Sequence, residues 1–180
     1  MDAQRRSAKG KATEEAGATM KMSEGVEWAT HCCLTLAWLE DETDTAIPTA
    51  TLAAAFDLPA HYLNKFLQAL ARANILVSTV GPKGGFRLAR RPEKITLLDV
   101  VNAIEGEDEA FRCTEIRRRG AGVTGKSSEF GRPCGIAVAM KKADQAWRNA
   151  LAAQTVRDLM GPKSAAGAAR MQCWYASRSR

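Results

Sequence analysis

The chain has 180 residues, with 26 Lys and Arg against 20 Asp and Glu, a net charge of +6 at pH 7 and a pI near 9.2. That is enough for one moderate domain with its own core, and the basic balance favours a polyanionic partner. No apolar run is long enough to cross a bilayer and no signal peptide is visible, so the expectation is a cytoplasmic protein whose five cysteines are metal-binding, redox-active or buried thiols rather than a disulfide frame.

Residues 1–19 carry no sizeable hydrophobic side chain after Met1 and read as a disordered N-terminal tail. Ser23 is a candidate N-cap for a helix over about 24–39. Val26, Trp28, Ala29, Cys32, Cys33, Leu36 and Leu39 make that helix apolar on more than one side. Within it Glu27 and His31 stand four residues apart and project from one face. An acidic stretch, 40–44, follows.

Residues 49–90 predict helix, tight turn, helix and a two-stranded hairpin. Thr49–Phe56 is a short Ala-rich helix, ended by Asp57-Leu58-Pro59, because a residue before proline is pushed out of the α region. The second helix covers about 60–74 and turns Leu63, Phe66, Leu67, Leu70 and Ala73 inward at helical spacing. Its other face carries His61, Tyr62, Asn64, Lys65, Gln68 and Arg72, side chains suited to phosphates and base edges. The β-branched run 75–80, the turn Gly81-Pro-Lys-Gly-Gly85 and the strand 86–90 complete a winged helix. Thr49, His61, Tyr62, Lys65, Gln68, Lys83 and Arg87 are the candidate DNA contacts, with duplex DNA bearing a two-fold pseudo-palindrome as the partner. The same unit in a protein-interaction module would leave that face merely solvated.

Beyond the wing, Thr96 caps a helix over 97–105 with Leu98, Val101 and Ile104 inward. A loop of about twenty residues, rich in Gly, Arg and Ser, then runs from Cys113 to Cys134; loops of that length inside a compact domain are often functional. The last helix is expected from Cys134 to about Met160, an amphipathic dimerisation helix favouring a two-fold homodimer. Gly161-Pro162 stops it, and 161–180 read as a basic C-terminal tail in which the apolar Cys173-Trp-Tyr175 has no explanation. The fold class is thus α+β and mostly helical: a winged helix-turn-helix domain over 20–106, a loop over 107–133 and a long helix over 134–160.

The wing Gly81-Pro-Lys-Gly-Gly-Phe86-Arg-Leu88, the Tyr62-Leu63 entry to the reading helix and Ile95-Thr-Leu-Leu-Asp-Val-Val101 ahead of a cysteine loop resemble the iron–sulfur winged-helix transcription regulators of the IscR and NsrR type. Those regulators usually carry three clustered loop cysteines. Here there are two, Cys113 and Cys134, so the three-cysteine site is excluded. The stretches 20–33, 111–120 and 134–140 are instead similar to the RsrR-type redox regulators of that family. The resemblance implies a [2Fe-2S] cluster held by Cys113 and Cys134 of one subunit and Glu27 and His31 of the other. It makes the chain a cytoplasmic redox-sensing regulator or repressor, with Trp28, beside Glu27, as the side chain expected to respond to redox state. Imidazole in place of thiolate on one iron raises the potential, as in Rieske centres.

Other readings of the same residues stay open. Glu27 and His31 alone could be a surface pair. Cys113, Cys134, His31 and Glu27 also suit a tetrahedral zinc site. The two loop cysteines could form a reversible disulfide, giving a cluster-free regulator responsive to thiol oxidation, nitric oxide or zinc. Cys32 and Cys33 read as core, His61 as a DNA contact or solvated side chain, and Arg117-Arg118-Arg119 as a solvated run. No Gly-rich phosphate loop, nucleophile–base pair or paired acids in a cleft supports an enzyme.

Overall fold

The computed structural model describes residues 22–40, 46–81, 84–120 and 124–178. The tail assigned to 1–19, residues 41–44 of the acidic stretch and Lys83 lie outside these residues.

Helix α1, Glu24–Leu39, is the centre of the molecule. Ten of its sixteen residues are buried, which its apolar character on several sides anticipates. Around it pack α3 (Ala60–Arg72), α4 (Leu97–Glu105), strand β2 (Gly85–Leu88), α6 (Val156–Leu159) and α7 (Ala165–Arg178). Helix α2 (Thr49–Ala55) lies on α3, and α5 (Gly135–Ala152) on α4. Strand β1 (Leu76–Thr79) pairs antiparallel with β2, Leu76 opposite Leu88 and Thr79 opposite Gly85. Ile47 adds a single bridge to Phe86 on the other edge of β2, and a Cβ on Gly85 would stand 2.3 Å from the Ile47 carbonyl carbon. The fold is therefore the expected α+β, mostly helical winged helix-turn-helix.

The turn between α2 and α3 forms where Pro59 dictates. Asp57 takes a left-handed conformation, φ 52°, tolerated by its short polar side chain, and the Leu58 amide donates to the Ala53 carbonyl. Leu63, Phe66, Leu67 and Leu70 are buried, as their spacing predicts. Ala73 is not: α3 ends at Arg72, and Ala73 is an exposed cap residue. In α4, Val100 and Val101 are buried while Leu98 and Ile104 are half-buried, so the inward face is rotated by about one position.

Two helix starts differ from expectation. Ser23 sits at the N-cap position of α1 but makes no cap bond to its own helix. Its amide and hydroxyl both donate to Glu105 Oε1, at 2.9 and 2.6 Å, fastening α1 to the end of α4. The single long helix expected over 134–160 is two helices. It breaks after Ala152 because Thr155 and Asp158 form a capping box that starts α6. Thr96 and Asp99 form a second box at the start of α4. The two caps lie side by side through a Thr96–Thr155 bridge, with Leu97 N donating to Gln154 O and Val156 N to Ile95 O.

The segment read as a basic tail contains α7, a helix of 14 residues. Ala168, Met171, Gln172 and Tyr175 recur at helical spacing and are half-buried. Met171 and Tyr175 pack on the core, Gly167 lies close to the Trp38 ring, and Gln172 Nε2 donates to the Trp38 carbonyl at 3.1 Å. That bond satisfies one of the carbonyls left over at the end of α1.

Candidate functional site

The exposed face of α3 carries His61, Tyr62, Lys65 and Gln68, all solvent-accessible. It is available because the hydrophobic face is fully committed to the core. Thr49, at the start of α2, is half-buried, and its hydroxyl bonds to Asn64 Oδ1 across the turn at 3.3 Å. Its first role is thus to join the two helices of the motif. Arg87 is exposed on β2, and the candidate contact Lys83 lies outside the described residues. Val80, at the wing, is 94% exposed, a side chain the sequence did not single out.

Trp28 and α3 are in direct contact. The Trp28 ring meets Tyr62 edge-on at 5.5 Å between centroids and Phe66 edge-on at 5.9 Å, and Tyr62 and Phe66 are 5.2 Å apart, also edge-on. Such T-shaped pairs are the favoured aromatic geometry. One turn earlier, a Cβ on Gly25 would lie 2.3 Å from Phe66 Cε1, so glycine is what lets α1 and α3 approach here. Spacing alone showed Tyr62 and Phe66 on α3; only the tertiary packing shows that both rest against Trp28.

Glu27 and His31 are exposed on α1 beside an apolar concavity of about 280 Å³ formed with Met22, Val26, Leu97, Val101, Leu151 and Leu159. The His31 ring lies 5.5 Å from that of Phe56. Cys113 and Cys134 are free thiols at the two ends of the loop, exposed and half-exposed respectively. Cys113 lines a smaller pocket with Phe111, Ala137 and Met140. Among the described residues, no three of His, Cys, Asp and Glu converge as a metal-holding group. One chain therefore presents the four ligand candidates as two separate pairs.

Arg117 stands between the two cysteines. Its Nε and Nη2 donate to the two carboxylate oxygens of Glu115 at 2.5 and 2.7 Å, and Nη2 also donates to the Arg132 carbonyl at 3.0 Å. The bond to Glu115 raises the guanidinium pKa, and the charges of Cys134 and Cys113 raise it further. The same bond holds the Glu115 carboxyl below its ordinary value. Arg118 lies over the Phe130 ring at 5.2 Å. The arginine run is thus partly engaged by its own loop, where the sequence suggested a solvated stretch.

Cys32 and Cys33 are fully buried. Burial pushes the Cys32 thiol up to about 12 and the Cys33 thiol higher still. Both are inert core residues, since the thiolate is the reactive and ligating form.

A helix-turn-helix with a wing and a polar, cationic reading face is the architecture of a winged-helix DNA-binding transcription regulator. The chain belongs to the Rrf2 family, whose model, described as an iron-dependent transcriptional regulator, matches residues 22–162. It is 28% identical over 141 residues to the HTH-type transcriptional regulator NsrR of Geobacillus kaustophilus, covering 78% of this chain and 90% of that one. It is 37% identical over 62 residues to the putative HTH-type regulator BadM of Rhodopseudomonas palustris, covering 34% of this chain but only 40% of that relative. Among solved structures it is similar to CymR, the global cysteine regulator of B. subtilis, with a TM-score of 0.58 at 20% identity over 78% of this chain and 96% of that one. The IscR/NsrR kinship expected from the wing and the segment after it is confirmed at the level of the family. No helix among the described residues is long and apolar enough to cross a membrane.

Proposed function

We propose that the protein is a cytoplasmic, homodimeric redox sensor in which a [2Fe-2S] cluster sets the affinity for a pseudo-palindromic operator. Cys113 and Cys134 of one protomer and Glu27 and His31 of its partner would hold the cluster. The observation that carries this reading is the presence of two exposed, chemically matched half-sets in one chain, each beside apolar surface. Ile136, Val138 and Met140, just after Cys134, are 66%, 55% and 37% exposed. The concavity beside Glu27 and His31 is almost wholly apolar. Docking the start of α5 of one protomer into that concavity on the other would cover both surfaces and would bring the half-sets towards each other. Two thiolates, an imidazole and a carboxylate are a workable, if hard-shifted, donor set for two irons.

When bound, the cluster supplies a centre whose charge changes by one electron. The chain's own part is mechanical. Glu27 and His31 would tie α1 to that charge, and Trp28 on the same helix rests on Tyr62 and Phe66 of the reading helix. A small rotation of α1 thus reaches α3 through packed rings. It changes DNA affinity only to the extent that the two orientations bind DNA differently. In the complex α3 enters the major groove with Lys65 and Gln68 foremost, and the wing, with Arg87 and Lys83, follows the backbone or minor groove.

Protein prepared without air is expected to contain iron and acid-labile sulfide in equal amounts. Its visible absorption should fall on reduction, and an electron-paramagnetic-resonance signal should appear. Absence of both iron and sulfide from such a sample ends the cluster reading. Because Cys113 and Cys134 are accessible free thiols, the surviving alternative is then a cluster-free thiol-, nitric-oxide- or zinc-responsive regulator, and zinc in the same analysis selects the last of these.

A further inference from the structure

The loop joining α4 to α5 has a demanding task. It must bring two cysteines twenty-one positions apart to one place, with only short 3-10 turns at 116–118 and 127–130 to guide it. Arg117 is the side chain that spans its two ends. Glu115, which grips the guanidinium through both carboxylate oxygens, follows Cys113 by two residues. The Arg132 carbonyl, which accepts from the same guanidinium, precedes Cys134 by two. Phe130 adds a ring face 5.7 Å from the guanidinium carbon. The planar fork of arginine can make the paired carboxylate bonds and the carbonyl bond at once; an ammonium cannot reproduce that geometry.

The backbone shows the same tie. Glu115 is in the left-handed region, φ 50°, a conformation strained for a residue other than glycine. Such a conformation persists only where surrounding contacts over-determine it, and here the carboxylate bonded to Arg117 is that contact. Both side chains are half-buried, 32% and 30% exposed.

We propose that Arg117 is the positioning residue that staples Cys113 to Cys134, preforming the cysteine half-set within a single protomer and fixing a positive charge beside both sulfurs. The identity of the group the sulfurs hold rests on the function proposed above; the staple itself does not.

The test uses the full chain, reduced and free of metal, carrying Cys173→Ser to remove the third accessible thiol. Dibromobimane becomes fluorescent when it links two nearby sulfurs, and peptide mass spectrometry identifies the linked pair. The parent is expected to link Cys113 to Cys134. In Arg117→Ala the linking rate should fall about tenfold, the effect of losing enforced proximity, while monobromobimane still labels each thiol and the melting transition is unchanged. Arg117→Lys should not restore the rate. Linking at the parental rate in Arg117→Ala overturns the staple. The second readout is the reduction potential of the loaded protein. Reduction adds negative charge, which a neighbouring cation favours, so the potential should fall in Arg117→Ala and stay near the parental value in Arg117→Lys. Equal potentials in the parent and Arg117→Ala overturn the charge role. If no cluster can be loaded, the cluster reading fails, and the linking rates still decide the staple.

Discussion

The reading head and the cysteine loop are built on opposite plans. Between Thr49 and Leu88 the apolar faces of the helices are covered within the chain, with Val80 at the wing the main exception: α3 buries four side chains against its neighbours, Phe86 is 3% exposed, and the turn closes on its own backbone bonds. From Cys113 to Met140 little is covered. Ile116 is 70% exposed, the first turns of α5 point apolar side chains outward, and α5 has no fully buried residue. The order that the loop does have comes from polar clamps. Arg117 holds Glu115 and the Arg132 carbonyl, and Arg148 bonds Asp144 at 2.9 Å while donating to the Glu107 and Asp108 carbonyls. The first region buries its apolar side chains within its own chain; the second leaves apolar side chains uncovered among its described residues. On the function proposed above, DNA binding and the response to a signal would thereby be kept on separate parts, joined by α1.

The sharpest way to break this division is to replace Cys113 or Cys134 with alanine. Either change should abolish iron and sulfide binding outright and leave the melting transition of the metal-free protein within about 0.5 kcal/mol of the parent, as for substitutions at exposed sites away from the core. Loss of colour together with collapse of the fold would show that the loop is part of the head's core after all. Next in size is Gly25→Ala. The new methyl meets the Phe66 ring at 2.3 Å, and Phe66 is itself buried, so overpacking should cost about 1–3 kcal/mol in chemical denaturation. Operator affinity should weaken with it, because the displaced side chain belongs to the reading helix. A variant as stable as the parent would mean that α1 and α3 are free to part, and the proposed link through Trp28 would lose its basis. Lys65→Ala should leave stability alone and weaken operator binding about tenfold, about 1.4 kcal/mol, measured at fixed salt. Unchanged affinity would remove this face of α3 from the contact surface.

How much of this the amino-acid order discloses depends on how local its causes are. The head is readable because its signals are short-range: leucines at three-and-four spacing in α3, Pro59 at the turn, β-branched residues and glycines in the wing. Thr96 as the cap of α4 is readable for the same reason. At the two-helix end an apolar stripe running on to Leu159 masks a local signal, Thr155 followed by Asp158. Helix α7 was missed because alanine dominates it. The inward positions Ala168, Met171, Gln172 and Tyr175 present a weak contrast, and of the apolar Cys173-Trp-Tyr175 only the core contact of Tyr175 accounts for a member. The bonds from Ser23 to Glu105 span eighty-two positions, and no periodicity reports them. For the site, spacing put Glu27 and His31 on one face, and resemblance added the two cysteines; the staple at Arg117 depends on a loop path that sequence does not encode in any repeating pattern.

The smallest expected effect sharpens the boundary between the two plans. Helix α6 is only four residues long, too short to persist without its cap, yet Val156 is fully buried and Leu159 lines the concavity beside Glu27 and His31. Its start depends on Thr155, whose hydroxyl and amide both donate to Asp158 Oδ2 at 2.7 and 2.8 Å. These bonds, the hydroxyl's first, hold the Asp158 carboxyl below its usual value of 3.8. A carboxyl whose folded pKa lies below the unfolded one contributes stability that is fully present above the unfolded value and is lost as pH falls through the folded value. Thr155→Ala should cost about 1 kcal/mol, the usual scale for an N-cap, at neutral pH. The gap between variant and parent should close as pH falls below the ordinary aspartate range. If α6 belongs to the self-sufficient half, denaturation of the metal-free protein will show this loss. If α6 is held mainly by a partner subunit, the loss will emerge only as a weaker dimer, seen in the concentration dependence of sedimentation.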